Sequence, residues 1–185
     1  ISCFSFYPGK NLGAYGDAGI ITTNNKKYYT IMNKIRNLGS NKKFIHDYVG
    51  MNSRLDTIQA SILSNKLKRL NIINKKRRYI ARFYRNNINN RKIKKLIYSK
   101  SCVYHQYVIL SKNRKKLIKL LSKNGIPFGF HYPYPINKLH ALRKIFKRQK
   151  YPNAEIIGKE GISLPIDPNL SISNLRKIIK IINSF

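Results

Sequence analysis

The chain has 185 residues, 42% of them hydrophobic, and a formal net charge of +32. That hydrophobic content is enough to build a core and excludes a disordered chain, and the length suits one domain or a domain and a half. The charge invites a nucleic-acid partner, but Lys and Arg are spread along the chain and accompany abundant Asn, Ile, Tyr and Phe, residues whose codons are rich in A and T; a compositional bias accounts for all of them together, so no specific nucleic-acid partner is expected.

Taken in chain order, the apolar and aromatic run Cys3 to Tyr7 reads as a buried strand, broken by Pro8 and Gly9 so that Lys10 sits on a turn. Gly13, Gly16 and Gly19 follow every third residue, a spacing that suits positive φ or a close backbone approach. Residues 18–23 are expected to form a second strand, 26–38 a helix ending at Gly39, and 40–53 a loop carrying His46, Tyr48 and Asn52. A single long helix is expected from about 54 to 86, with Ser53 as its N-cap and Arg54 and Asp56 as a salt bridge. Beyond the Asn-rich stretch 86–90, a smaller domain alternates strand 103–110, helix 113–124, strand 126–132, helical stretches near 138–148 and 153–160, and a last helix 172–183. In that helix Leu175, Ile178, Ile179 and Ile182 form a buried stripe. The small domain is thus two-layered, with a sheet of few strands.

Cys3 and Cys102 lack metal-ligand spacing and are expected as buried, reduced thiols; no metal site is expected, since the histidines also show no ligand spacing. No apolar run approaches the roughly 18 residues of a membrane span, and the first strand begins almost at once, so a soluble cytoplasmic protein without signal peptide or membrane partner is the expectation. Taken alone, Lys10 reads as one more surface lysine, Ser5 as a small strand residue, Tyr7 as core packing, Asn52 as a helix cap and His131 as a structural histidine. A lysine beside an aromatic wall has a second reading: partial desolvation disfavours its charged form and makes the amine a nucleophile able to form a Schiff base.

The stretch from Ser5 to Gly13, with Gly16-Asp17-Ala18-Gly19, resembles the lysine segment of the DegT/StrS-type sugar-nucleotide aminotransferases. The resemblance continues through Gly50-Met51-Asn52-Ser53-Arg54-Leu55-Asp56-Thr57-Ile58-Gln59-Ala60 and Val103 to Ile109. Gly125 to Pro135, containing His131-Tyr132-Pro133-Tyr134-Pro135, and Ser163 to Pro168 complete five blocks in the family's order. It implies an α/β chain of the fold-type I class that binds pyridoxal 5'-phosphate (PLP). Residues 1–53 would be the end of the large PLP domain, 54–90 a long connecting helix and 91–185 the small C-terminal domain. The family's proteins are about twice as long, so the chain is expected to be the C-terminal half of a longer enzyme, inactive by itself because the acidic partner of the pyridine nitrogen lies in the other half.

By the same resemblance Lys10 is the catalytic, PLP-bearing residue, and Ser5 and Asn52 contact the cofactor phosphate, Asn52 across a homodimer with shared active sites. Tyr7, His131 and Tyr132 are the implied contacts to a nucleotide-linked keto sugar. The activity is transamination with glutamate as donor in amino-sugar biosynthesis, closest to enzymes making 3-amino sugars on dTDP or UDP carriers. Phe128 and Phe130 depart from the family pattern, as does the loop after Pro135. An inactive gene remnant and a basic nucleic-acid-binding protein are the alternatives.

Overall fold

A computed structural model of the chain describes residues 1–146 and 149–185. The chain divides into two compact units, Ile1–Asn71 and Ile72–Phe185. The first contains β1 (Ser2–Ser5) and β2 (Gly19–Thr22), antiparallel with Ser5 opposite Gly19, then α1 (Lys26–Arg36), the short hairpin β3 (Ser40–Lys42) and β4 (Ile45–His46), and α2 (Thr57–Leu67). The second contains most of α3 (Leu70–Asn87), then β5 (Lys94–Lys95), β6 (Tyr107–Leu110), α4 (Arg114–Lys123), two single 3-10 turns, α5 (Arg143–Phe146), α6 (Pro152–Glu160), β7 (Gly161–Leu164) and α7 (Ile172–Asn183).

The second unit is built around one antiparallel sheet of order β5-β6-β7. Ile80, Ala81 and Tyr84 from α3, Ile109 from β6, Leu117 and Leu121 from α4, and Ile162 from β7 form one buried cluster. The α7 stripe of Leu175, Ile178, Ile179 and Ile182 belongs to it as well. The last helix falls where the periodicity places it, started by the Ser171 side chain, which accepts from the Asn174 N–H at 3.2 Å. The phenylalanines that depart from the family pattern are absorbed here. Phe128 and Phe130 meet edge to face at 5.6 Å and pack against this cluster, with the Arg114 guanidinium 5.0 Å from the Phe130 ring.

Several expectations are corrected. The single helix from 54 to 86 is two helices: at Lys68–Arg69 the hydrogen bonding tightens, Arg69 N–H donating to Lys66 three residues back. No Pro or Gly marks that break in the sequence. Asp56, not Ser53, precedes the first helical residue, and no ion pair joins Arg54 to Asp56 among the described residues. Residues 40–46 pair as a hairpin rather than a loop. The strand expected over 126–132 is reduced to one bridge, Gly129 with Ser163. β7 was not foreseen because it follows α6 with no loop: a Cβ on Gly161 would stand 2.5 Å from the Ile157 carbonyl oxygen, a corner that only Gly fits. The end of the helical stretch 138–148 lies outside the described residues.

Cys3 and Cys102 are free thiols but exposed, not buried. All of β1 and β2 is exposed too, because a two-stranded ribbon carries no layer over its faces among the described residues. No helix of the described residues is long and apolar enough to cross a membrane.

Tyr84 is fully buried, donates its hydroxyl to the Pro165 carbonyl at 2.8 Å, and packs its ring 5.0 Å from that of Tyr107. Burial pushes both phenols up, Tyr107 from 10.0 to about 12 and Tyr84 in the same direction. The folded form therefore keeps protons that the unfolded chain releases near pH 10.0, so this stabilisation is whole below that pH and is lost as pH rises through about 12. The stability of the wild type relative to Tyr107→Phe, from urea unfolding, is expected to hold constant from about pH 8 to 9 and to fall as pH rises from 10.0 to about 12.

Candidate functional site

In the first unit the sequence from Ser5 to Gly19 folds back on itself. Phe6 N–H donates to Ala18, Ala14 N–H to Phe6, and Lys10 N–H to Tyr7, each at 2.8 Å, so Lys10 stands at the end of a closed turn. None of the three spaced glycines has positive φ; the need at Gly13 is close approach. A Cβ there would overlap the Pro8 carbonyl oxygen and stand 2.9 Å from its carbon.

Helix α2 holds the returning segment from the other side. Gln59 accepts from Tyr15 N–H at 2.7 Å, and the Lys66 ammonium donates to the Gly13 carbonyl at 2.7 Å while lying 4.3 Å from the Tyr15 ring centroid. Gln59 and Lys66 are seven residues apart and so share a helix face. Gln59 lies inside a block that carries the family resemblance, yet neither residue was singled out in the sequence. That i, i+7 spacing of polar residues was the available signal.

Lys10 and Ser5 are exposed in this unit, contrary to the desolvated lysine expected, because no second layer covers the ribbon among the described residues. The Lys10 amine has no hydrogen-bond or ion-pair partner among the described residues. The Ser5 Oγ accepts from the Tyr7 N–H at 3.4 Å, which leaves its own proton free to donate. Tyr7 is exposed as well.

Asn52 is positioned by the C-terminus of α1. The N–H groups of Met51 and Ser53 donate to the Ile35 and Arg36 carbonyls at 2.8 and 2.9 Å, satisfying acceptors that a helix end leaves open. The tight passage past Gly39 (φ +74°) requires glycine there, since a Cβ would overlap the Tyr48 carbonyl oxygen. Asn52 and Asn37 form an antiparallel bridge, and Arg54 donates from Nε to the Asn52 Oδ1 at 3.0 Å and from a terminal nitrogen to the Asn37 Oδ1 at 3.4 Å. With its oxygen engaged, Asn52 presents its amide N–H groups, the end suited to an anion. Arg54 thus serves Asn52 rather than Asp56.

His131 and Tyr132 belong to the second unit. The His131 Nδ1 lies 2.8 Å from the Ser163 Oγ, its ring meets the Tyr132 ring at 5.4 Å, and Tyr132 is 70% exposed. A cavity of about 170 Å³ in the same unit is lined by Arg85, Tyr98, Cys102, Tyr104 and Tyr107 among others, and by neither His131 nor Tyr132.

The donor set fits a phosphorylated aldehyde: on one short strand and turn the first unit carries a free amine, able to condense with a carbonyl, and a hydroxyl with its proton available to a phosphate, and it carries an amide turned N–H outward as well.

The sequence model of the DegT/DnrJ/EryC1/StrS aminotransferase family matches residues 1–183. A dTDP-3-amino-3,6-dideoxy-alpha-D-galactopyranose transaminase of Aneurinibacillus thermoaerophilus is 40% identical over 200 residues, which cover 98% of this chain and 55% of that protein. A UDP-2-acetamido-2-deoxy-3-oxo-D-glucuronate aminotransferase of Pseudomonas aeruginosa is 33% identical over 180 residues, 96% of this chain and 50% of that protein. Among solved structures, DesV of S. venezuelae in complex with a ketimine intermediate is similar with a TM-score of 0.91 and 31% identity, over 98% of this chain and 50% of that one. The chain spans about half the length of the curated relatives it matches.

The glycine approach gives a test. Gly13→Ala is expected to open the lysine turn locally at a cost of about 1–3 kcal/mol, the range for overpacking. Amide hydrogen exchange should then speed up at Lys10 and Ala14 by roughly tenfold or more while α7 is unaffected.

Proposed function

Because the chain belongs to the DegT/DnrJ/EryC1/StrS aminotransferase family, we propose that it is the lysine-bearing part of a PLP-dependent aminotransferase acting on a nucleotide-linked keto sugar. The observation that carries this reading is the Lys10 amine at the end of a closed turn with no partner among the described residues. In this reading residues 1–53 contribute to a large cofactor domain, 54–90 connect, and 91–185 form the small domain. The names of relatives acting on dTDP- and UDP-linked sugars support those carriers, without choosing between them.

Lys10 holds the cofactor, and Ser5 donates its hydroxyl to the cofactor phosphate. Asn52 adds amide N–H groups to the phosphate of the partner subunit's site, in a homodimer with shared sites. When bound, PLP supplies the electron sink through which an amino group passes from a donor amino acid, glutamate in this proposal, to the sugar ketone. Lys10 Nζ then acts as the base that takes the proton from the donor's α-carbon. Tyr7, His131 and Tyr132 bind the nucleotide sugar, the imidazole suiting a diphosphate oxygen. The acidic group that the pyridine nitrogen needs is assigned to the part of the enzyme outside these residues, and the cytoplasm is the proposed compartment.

The first test uses the enzyme completed by its N-terminal half. With PLP present, borohydride reduction should leave the cofactor covalently on Lys10, located by mass spectrometry of the peptides. Lys10→Ala should abolish the adduct and lower turnover by at least about 10²–10⁴-fold, the range of a lost acid–base group. A reducible adduct that survives in Lys10→Ala overturns the assignment.

The second concerns the shared site. Asn52→Ala should weaken PLP retention without loss of fold. Mixed with Lys10→Ala subunits, it should yield heterodimers with one intact site and one doubly damaged site, and activity should return. Heterodimers that form, shown by tagged co-purification, but remain inactive would count against the shared site.

A further inference from the structure

We propose that Ser163 is a positioning residue for His131, fixing the imidazole so that its Nε2–H is the donor presented to an anionic oxygen of the ligand. The ligand part of this rests on the placing of His131 at the nucleotide sugar; the positioning part does not. Ser163 sits on the edge strand β7, opposite Val108 of β6, and is only 4% exposed. Its free side pairs with Gly129 through two backbone bonds, Gly129 N–H to the Ser163 carbonyl at 3.1 Å and Ser163 N–H to the Gly129 carbonyl at 2.8 Å. This pairing brings residues 129–131 alongside β7 and sets the imidazole beside the hydroxyl.

Two contacts define the ring. The first is the 2.8 Å separation of His131 Nδ1 and Ser163 Oγ. The second is the α-carbon of Gly129: a Cβ there would stand 2.8 Å from the ring's Cε1 and 3.4 Å from Nδ1, so the ring reaches Ser163 only because residue 129 has no side chain. A buried hydroxyl that withholds its proton from every acceptor loses a hydrogen bond it had in water, and the Nδ1 nitrogen is the acceptor in reach. The Ser163 O–H therefore donates to Nδ1, and the neutral imidazole carries its own proton on Nε2. Nε2 has no protein partner among the described residues. A ring held this way is an oriented donor, which matches a diphosphate oxygen and does not match a cation. Sequence reading placed His131 by resemblance alone. Ser163 lay within the block from Ser163 to Pro168 without an assigned part, because the two residues are 32 positions apart and meet only when Gly129 pairs with β7.

The positioning is tested on the 185-residue chain by long-range ¹H–¹⁵N correlation of the histidine rings at about pH 9, the His131 signals being identified by their loss in His131→Gln. The expected result is an unprotonated, hydrogen-bond-accepting Nδ1 and a protonated Nε2. Ser163→Ala should shift Nδ1 toward the value of a nitrogen without a donor, and Ser163→Thr should restore it. Gly129→Ala, which keeps the hydroxyl but displaces the ring, should reproduce the Ser163→Ala shift. A wild-type His131 protonated on Nδ1, or an Nδ1 signal indifferent to Ser163→Ala, overturns the proposal.

The consequence for binding is measured by UDP and dTDP calorimetry on the enzyme completed by its N-terminal half. Ser163→Ala should weaken binding by about 5- to 10-fold in the wild type and by less than 2-fold in a His131→Gln background, since Ser163 acts through the ring. Equal losses in both backgrounds overturn the positioning role. If His131→Gln itself leaves nucleotide binding unchanged, the placing of His131 at the nucleotide sugar fails, and with it the ligand part of the proposal, while the nitrogen shifts still decide the positioning.

Discussion

Gly13 lies against the Pro8 carbonyl so closely that no side chain fits between them, and the lysine turn depends on that approach. The return of the chain at Gly13 lets Ala14 N–H reach Phe6 and closes the loop in which Lys10 stands. The closure is then held by Lys66 on the Gly13 carbonyl and Gln59 on the Tyr15 amide. A lysine can be placed by neighbours that do not themselves engage its amine. Here the fixing bonds fall on the backbone around Lys10, and its side chain is left without a partner among the described residues. Asn52 follows the same logic, with Arg54 occupying its oxygen and leaving its N–H groups.

The two units differ in what holds them. The second has a sheet with helices packed against it and one continuous apolar cluster, from Ile80 to Ile182, so burial of apolar surface supplies its stability. In the first, Ala14 and Leu63 are the buried apolar side chains among the described residues, while Phe4, Tyr7, Ile20, Ile21 and Met51 are exposed. Its order rests on backbone pairing, capping and a few polar clamps. Exposed apolar side chains gathered in one unit mark a surface suited to contact with another body. The chain spans about half the length of the relatives it matches.

Amphipathic pattern was legible wherever one face of an element meets a core within its own unit. Helix α7 and its stripe of Leu175, Ile178, Ile179 and Ile182 were readable to the residue, and α4 to within one residue at each end. The pattern failed at β7, whose four residues Gly161 to Leu164 are all buried and therefore do not alternate. It failed again at Lys68–Arg69, where the break between α2 and α3 is a change of hydrogen bonding with no Pro or Gly to announce it. The buried cysteines were misread for the opposite reason: Cys3 lies on an apolar strand, but that strand has no cover among the described residues.

For the site, the sequence by itself determined the family and the place of Lys10, because five short blocks in a set order are a local property of the chain and the Pro-Gly break after an aromatic run is a local signal too. Only the tertiary structure decided which groups orient the others. Arg54 turns from Asp56 to Asn52, Gln59 and Lys66 clamp a segment more than forty residues earlier, and Ser163 meets His131 across 32 positions. The physical reason is that a hydrogen bond falls away within about an ångström beyond its normal length. Its partners are therefore set by the folding of distant segments onto one another, and neither residue carries a mark of the pairing in its own neighbourhood.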